Sequence, residues 1–268
     1  MINARNHILK VSLTCVIASF LLWIAYLLLR HLELGSPAEC VFMAQVCVVL
    51  LTATYLAADA VHTGFFRVYF NASGVSSTAH LLALTAISSG RWLLRELVLS
   101  QIPVLCWGAL STSVTLFITD LQFTAALEIF AILVIYSLAA GAVGMLCAQV
   151  FRDTLFGTEC ATLFWCVLIG GAFLLNPLQR YVDDPQPFIS VVLHLNPLIA
   201  VQGIFEGLDI FRNPMLYERT PVTSYDYRYP NPWYLVGVWQ LVIGGCCFVG
   251  AWWMCRYRGY KVQGHQKG

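Results

Sequence analysis

The sequence predicts an all-α fold: a polytopic membrane bundle of six transmembrane helices, with an amphipathic cytoplasmic helix and a broken, re-entrant outer segment before the last span. Three observations predict it. Six apolar runs, at about 11–29, 40–58, 98–119, 121–151, 154–176 and 233–255, each match the roughly 20 residues that cover a hydrocarbon core of about 30 Å. Four of these runs contain no Asp, Glu, Lys or Arg, and the other two hold one acid each, Glu128 and Glu159. A charge at the bilayer centre costs at least about 2.5–3.5 kcal/mol, so the pattern is a selected one. Finally, only 11% of the residues are charged and 59% are hydrophobic, against about 25% charged in soluble domains. The runs are continuous in polarity rather than alternating, which is the pattern of helices and not of a barrel.

The whole chain, 1–268, reads as one transmembrane domain. Its first run is longer than the apolar core of a signal peptide, and no small-x-small site directly follows it, so it is expected to stay as a helix. The second run follows a short loop containing Arg30. Between runs two and three, a turn-forming Asn71-Ala-Ser-Gly74 precedes Thr78–Glu96. There Leu81, Leu84 and Trp92, with Arg91 and Arg95, suit a helix lying along the cytoplasmic interface. Runs three and four meet at a short loop around Asp120, and run five follows Arg152.

The outer segment, 177–232, is richer in Pro, Asp and Tyr. Its apolar part, Phe188–Phe205, is interrupted by Asn196-Pro197. Proline removes a helical hydrogen bond and disfavours helix at the residue before it, while Asn196 can cap a helix that restarts beyond. A pair that dips into the membrane and turns back is expected, with Phe188 and Phe205 near the outer mouth. Such a break requires that protein bury the freed backbone groups.

Basic residues set the orientation. Six spans place ten of the fifteen Lys and Arg on one face: Arg5, Lys10, Arg67, Arg91, Arg95, Arg152, Arg256, Arg258, Lys261 and Lys267. That face is expected to be the cytoplasm, with both termini on it and the chain in the plasma or inner membrane.

Several chemistries are missing from the sequence. No phosphate-binding GxxxxGK[ST] loop occurs, and the three lysines, Lys10, Lys261 and Lys267, do not follow a glycine. There is no HExxH or GxSxG motif. The ten cysteines form no CxxC pair and the six histidines show no ligand spacing. No catalytic residue, metal or cofactor is therefore expected. The spans lack the carboxylate relays of proton-driven transporters, and Gln45, Gln101, Gln149 and Gln240 read as contacts between helices.

Three stretches resemble the permease subunit of a type 2 ABC transporter, the exporter class. Leu82-Ala-Leu-Thr-Ala-Ile-Ser-Ser-Gly-Arg91, then Leu93-Leu94 and Arg95, is similar to that family's "LLxTPxS…xxLLxxK" segment. His194-Leu-Asn-Pro-Leu-Ile-Ala-Val-Gln-Gly-Ile-Phe205 is similar to its "LNPLTxxxxxF/R" segment ahead of the last helix. Gly144–Asp153 resembles the end of its fourth span. The chain departs from the pattern in having His62-Thr-Gly64 before the cytoplasmic segment and Ala86 where proline is common.

The resemblance implies a non-enzymatic membrane subunit that forms an export path. It would pair with a second copy or a paralogue, contact membrane lipids and no nucleic acid, and dock a separate ATP-binding subunit. Coupling to that subunit would fall on Leu81, Leu84, Thr85, Ile87, Ser88 and Arg91, and an outer gate on Phe188, Asn196, Pro197 and Phe205. Close helix packing would use Ala140 and Gly144, or Gly170 and Gly171. The alternatives are a non-transporting membrane scaffold, or an integral membrane enzyme using Asp183, Asp184 or His194.

Overall fold

A computed structural model of the chain describes residues 2–32, 36–63, 89–118, 122–178, 181, 186–205 and 228–265. Among them every regular element is a helix: α1 (Ile2–His31), α2 (Pro37–Val61), α3 (Ser89–Ile118), α4 (Phe123–Phe151), α5 (Thr154–Ile169), α6 (Gly171–Leu178), α7 (Gln186–Leu195), α8 (Ile199–Phe205) and α9 (Tyr234–His265). Among the described residues, five stretches are long and apolar enough to cross a membrane: Ser12–His31, Pro37–Val61, Gly90–Ile118, Phe123–Phe151 and Tyr234–Tyr257.

Local chemistry sets several of the boundaries. Ser36 and Glu39 form a capping box at the start of α2: the Glu39 amide donates to Ser36 Oγ at 3.3 Å, and the Ser36 amide donates to Glu39 Oε2 at 2.6 Å. Pro37 occupies the first helical turn, where a missing N–H costs nothing. Arg152 ends α4 in the left-handed conformation, φ 59°, and its amide donates to the Ala148 carbonyl at 2.9 Å. Asp153 then caps α5 by accepting from the Phe156 amide at 2.8 Å. Two residues thus reverse the chain between α4 and α5.

The core is built around α4, which packs on α2, α3, α5 and α9. Its contact surface is made of small residues. A Cβ placed on Gly144 would collide with the backbone carbonyl of Thr54 on α2, and one on Gly244 of α9 would come within 2.7 Å of Ala139 Cα. Without lipid-to-water transfer to drive them together, membrane helices associate through such close backbone approach and through polar contacts. The polar contacts are present. Gln45 of α2 donates to Ser111 Oγ at 3.0 Å and accepts from Thr112 Oγ1 at 3.3 Å, both on α3. Trp107 Nε1 of α3 donates to Ser19 Oγ of α1 at 3.1 Å, and Gln101 Nε2 donates to the Ala53 carbonyl of α2 at 3.4 Å. Leu13, Val16, Phe20 and Trp23 of α1 are exposed apolar side chains, as suits a helix in contact with lipid.

Two features differ from the sequence expectation. The fifth run, 154–176, is not one helix of spanning length. It divides at Gly170 into α5, of 16 residues, and the short α6. The Gly170-Gly171 pair is the physical reason, since adjacent glycines give up helix propensity and are a common site of sharp bends. Second, Ser89–Glu96 does not form part of a separate interface helix. It is the first two turns of α3, which continues to Ile118 for 30 residues with Pro103 inside it. No helix-breaking residue separates Arg91 from Leu99, so the span propagates back through the charged turn.

Candidate functional site

Among the described residues, the irregular backbone held by the most side chains from other elements is the junction between α7 and α8. These two helices are apolar, and together they have the composition of a span, yet they meet at an angle of 79°. Pro197 has no N–H, so the ladder cannot continue through it. The Asn196 side chain replaces the missing bond locally, accepting from the Leu198 amide at 3.0 Å, and the Asn196 carbonyl accepts from the Ile199 amide at 3.2 Å. Asn196 therefore ends one helix and starts the next.

Side chains from other elements satisfy the carbonyls that the break exposes. Tyr136 on α4 donates its hydroxyl to the Pro197 carbonyl at 2.9 Å. Gln240 on α9 donates Nε2 to the Leu195 carbonyl at 2.7 Å. Asn196 Nδ2 itself donates at 3.0 Å to the carbonyl of Ile169, the last residue of α5. The two breaks, at Gly170 and at Asn196-Pro197, are thereby joined to each other. Tyr136 and Gln240 are fully buried and Asn196 is 5% exposed. The bond to Pro197 is buried and those to Leu195 and Ile169 are part-buried, and such pairing is the condition under which irregular backbone persists at membrane depth.

A second polar node lies on the α2–α4–α5 contact. Trp165 Nε1 of α5 donates to Thr54 Oγ1 at 3.2 Å, and Thr54 Oγ1 donates to the Leu50 carbonyl at 2.6 Å, with the Ala140 carbonyl 3.3 Å away. Ala140 and Gly144 sit one turn apart on α4 against this threonine.

The residues singled out in the sequence are distributed as follows. Asn196 and Pro197 form the break. Phe205, at the end of α8, stacks on Phe42 of α2 with ring centroids 5.6 Å apart and an interplanar angle of 29°. Phe188 is half exposed and lines an apolar groove of about 290 Å³ with Gly171, Leu174 and Val191. The two phenylalanines thus make separate contacts. Gly171 faces Val192 of α7, whereas the nearest atom to a Cβ on Gly170 would be the carbonyl of Cys166, in its own helix. Gly170 marks the interruption between α5 and α6 and not a close approach between helices. Arg91 is exposed on α3. Leu81, Leu84, Thr85, Ile87 and Ser88, with the acids Asp183 and Asp184, lie outside the described residues.

Tyr136 was not singled out in the sequence, and Gln240 only as a general helix contact. The available signal was the tyrosine hydroxyl in an otherwise apolar run, since a buried Tyr O–H needs a partner. Its partner, a carbonyl 61 residues away, could not be read locally. Gln45 and Gln101 also bridge helices, while Gln149 is buried with neither end of its amide hydrogen-bonded among the described residues. Glu128 is half-buried and Glu159 exposed. No group of three His, Cys, Asp or Glu side chains among the described residues could hold a metal ion.

Long apolar helices, small-residue contacts and a break stitched by buried side chains define the class: an all-helical, multi-pass membrane protein. No protein-family model, curated protein or solved structure matches the chain.

Proposed function

We propose that this chain is the membrane subunit of an ATP-driven exporter of the type 2 ABC class, and that it couples to a separate ATP-binding subunit. The observation that carries the reading is the broken pair α7–α8 immediately before the last long helix. It coincides with His194–Phe205, the segment resembling that family's motif, and it is held by donors from α4 and α9. The absence of any phosphate-binding loop from the sequence is consistent with an energy source on another chain.

In this reading the chain crosses the membrane six times, α5 and α6 together making the fifth crossing, with both termini cytoplasmic. The α7–α8 pair enters from the outer face and returns. Two copies, or this chain and a paralogue, enclose the path. ATP-driven closure of the partner tilts the helices through the cytoplasmic segment ahead of α3, and the α7–α8 junction moves as a unit because α4, α5 and α9 all hold it. A bonded element of this kind can shift as a rigid body between two arrangements.

The test is made at the cytoplasmic segment. Leu84→Asp and Ile87→Asp are expected to lower transport-coupled ATP hydrolysis at least tenfold in the reconstituted complex, while the chain still inserts and folds. Unchanged coupling in both variants would remove the assignment of this segment.

A further inference from the structure

A cavity of about 510 Å³ opens on the opposite side of α7 from the Phe188 groove, between α7 and the chain leading into α9. The volume falls within the ~300–1,000 Å³ typical of small-molecule sites. Its wall is chemically divided. Pro187 and Leu235 supply accessible apolar surface, while Ile189 and Leu193 line the cavity from the buried core. Gln186, Ser190, His194, Arg228, Tyr229 and Asn231 supply the polar part. His194 and Arg228 are the two ionisable side chains of basic type, and no carboxylate lines the cavity among the described residues.

The state of His194 follows from its hydrogen bond. Its Nδ1 lies 2.7 Å from the Ser190 carbonyl. A carbonyl only accepts, so Nδ1 carries the proton and the ring is fixed by its own helix. Nε2 is left to meet a ligand, accepting when the ring is neutral and donating when it is protonated. Arg228 adds a permanent positive charge in a planar fork, the geometry that binds phosphate or carboxylate through two parallel bonds. His194 makes no bond in the α7–α8 junction described above, and Arg228 was given no role in it.

We propose that this cavity binds an anionic amphiphile: Arg228 and His194 hold its phosphate or carboxylate, and Pro187 and Leu235 contact the first part of its apolar chain. An isolated oxyanion would use the polar part alone and leave Pro187 and Leu235 without a partner, which is why the ligand is an amphiphile and not a free ion. The site stands whether or not the chain exports, and its test requires no ATP-binding subunit.

The test uses the full chain in phosphatidylcholine nanodiscs and radiolabelled lysophosphatidic acid as probe. Saturable binding is expected, weakened about tenfold or more by Arg228→Gln, since a charge-assisted bond is lost, and severalfold by His194→Gln. Arg228→Lys should fall between wild type and Arg228→Gln, because the charge remains and the fork does not. Monoacylglycerol, which has the same chain and no phosphate, should compete at least tenfold more weakly. Arg228 is exposed, so its variants should unfold at the wild-type temperature, which a thermal scan in the same nanodiscs verifies. Equal binding by wild type and Arg228→Gln would overturn the site. Full competition by inorganic phosphate at the concentration of the lipid would overturn the amphiphile and assign the cavity to a soluble oxyanion.

Discussion

Asn196 makes two bonds of different kinds with one side chain: its oxygen caps α8 and its nitrogen reaches the end of α5. Alanine at this position removes both and leaves the Ile169 carbonyl and the Leu198 amide without those partners. Tyr136→Phe is the more conservative change, deleting one hydroxyl and isolating the Pro197 carbonyl. A buried polar group left unsatisfied costs about 1–3 kcal/mol, and bonds between membrane helices average nearer ~0.6 kcal/mol because freed groups find other partners. Tyr136→Phe is therefore expected to destabilise the chain by about 0.5–2 kcal/mol and Asn196→Ala by somewhat more, measured by denaturant unfolding in detergent. Wild-type stability in both variants would mean that the junction is not held by these bonds. The sequence made Asn196 and Pro197 legible because their effects are local: a missing N–H and a short capping side chain. Tyr136 and Gln240 act across 61 and 45 residues, and nothing in their own neighbourhoods points to the carbonyls they reach.

Small residues decide how closely the helices approach, and their effect differs from one glycine to another. At Gly144 a methyl group has no room beside the Thr54 carbonyl, whereas at Gly245 of α9 it meets nothing within 4 Å. Glycine costs a helix about 0.8–1 kcal/mol relative to alanine, and overpacking a tight contact costs about 1–3 kcal/mol. Gly245→Ala is thus expected to be neutral or stabilising by up to about 1 kcal/mol, while Gly144→Ala lowers stability by about 1–2 kcal/mol, both read in the same unfolding experiment. The opposite order would contradict the α2–α4 contact. Sequence pattern located the long helices well because uncharged length is a signal that each run carries by itself. It overestimated the continuity of 154–176, since two glycines in an apolar stretch read equally as packing or as a bend. In the structure the helix is interrupted at Gly170, with Asn196 bonded to the carbonyl that ends α5. The start of α3 was hidden for a related reason: Arg91, Arg95 and Glu96 look like a boundary by charge, but they are good helix formers and do not stop the helix.

At the scale of the whole molecule, the described helices α2, α3, α5 and α9 pack on the small residues of α4, and one broken pair is fixed to this assembly by buried donors. Charge asymmetry supplies the proposed orientation. In a background without the ten native cysteines, Arg228→Cys is expected to react with an impermeant maleimide from outside intact cells, and Tyr257→Cys only after permeabilisation. Labelling of both from one side would contradict the six-crossing topology. The central claim concerns energy input, and it is tested most directly by gentle capture of the tagged chain from native membranes, followed by measurement of ATP hydrolysis in the eluate. The account predicts a complex of two membrane subunits with two ATP-binding subunits whose hydrolysis falls at least tenfold when the captured chain carries Leu84→Asp. A chain recovered intact, with no ATP-binding subunit and no hydrolysis above that of a mock capture, would contradict it.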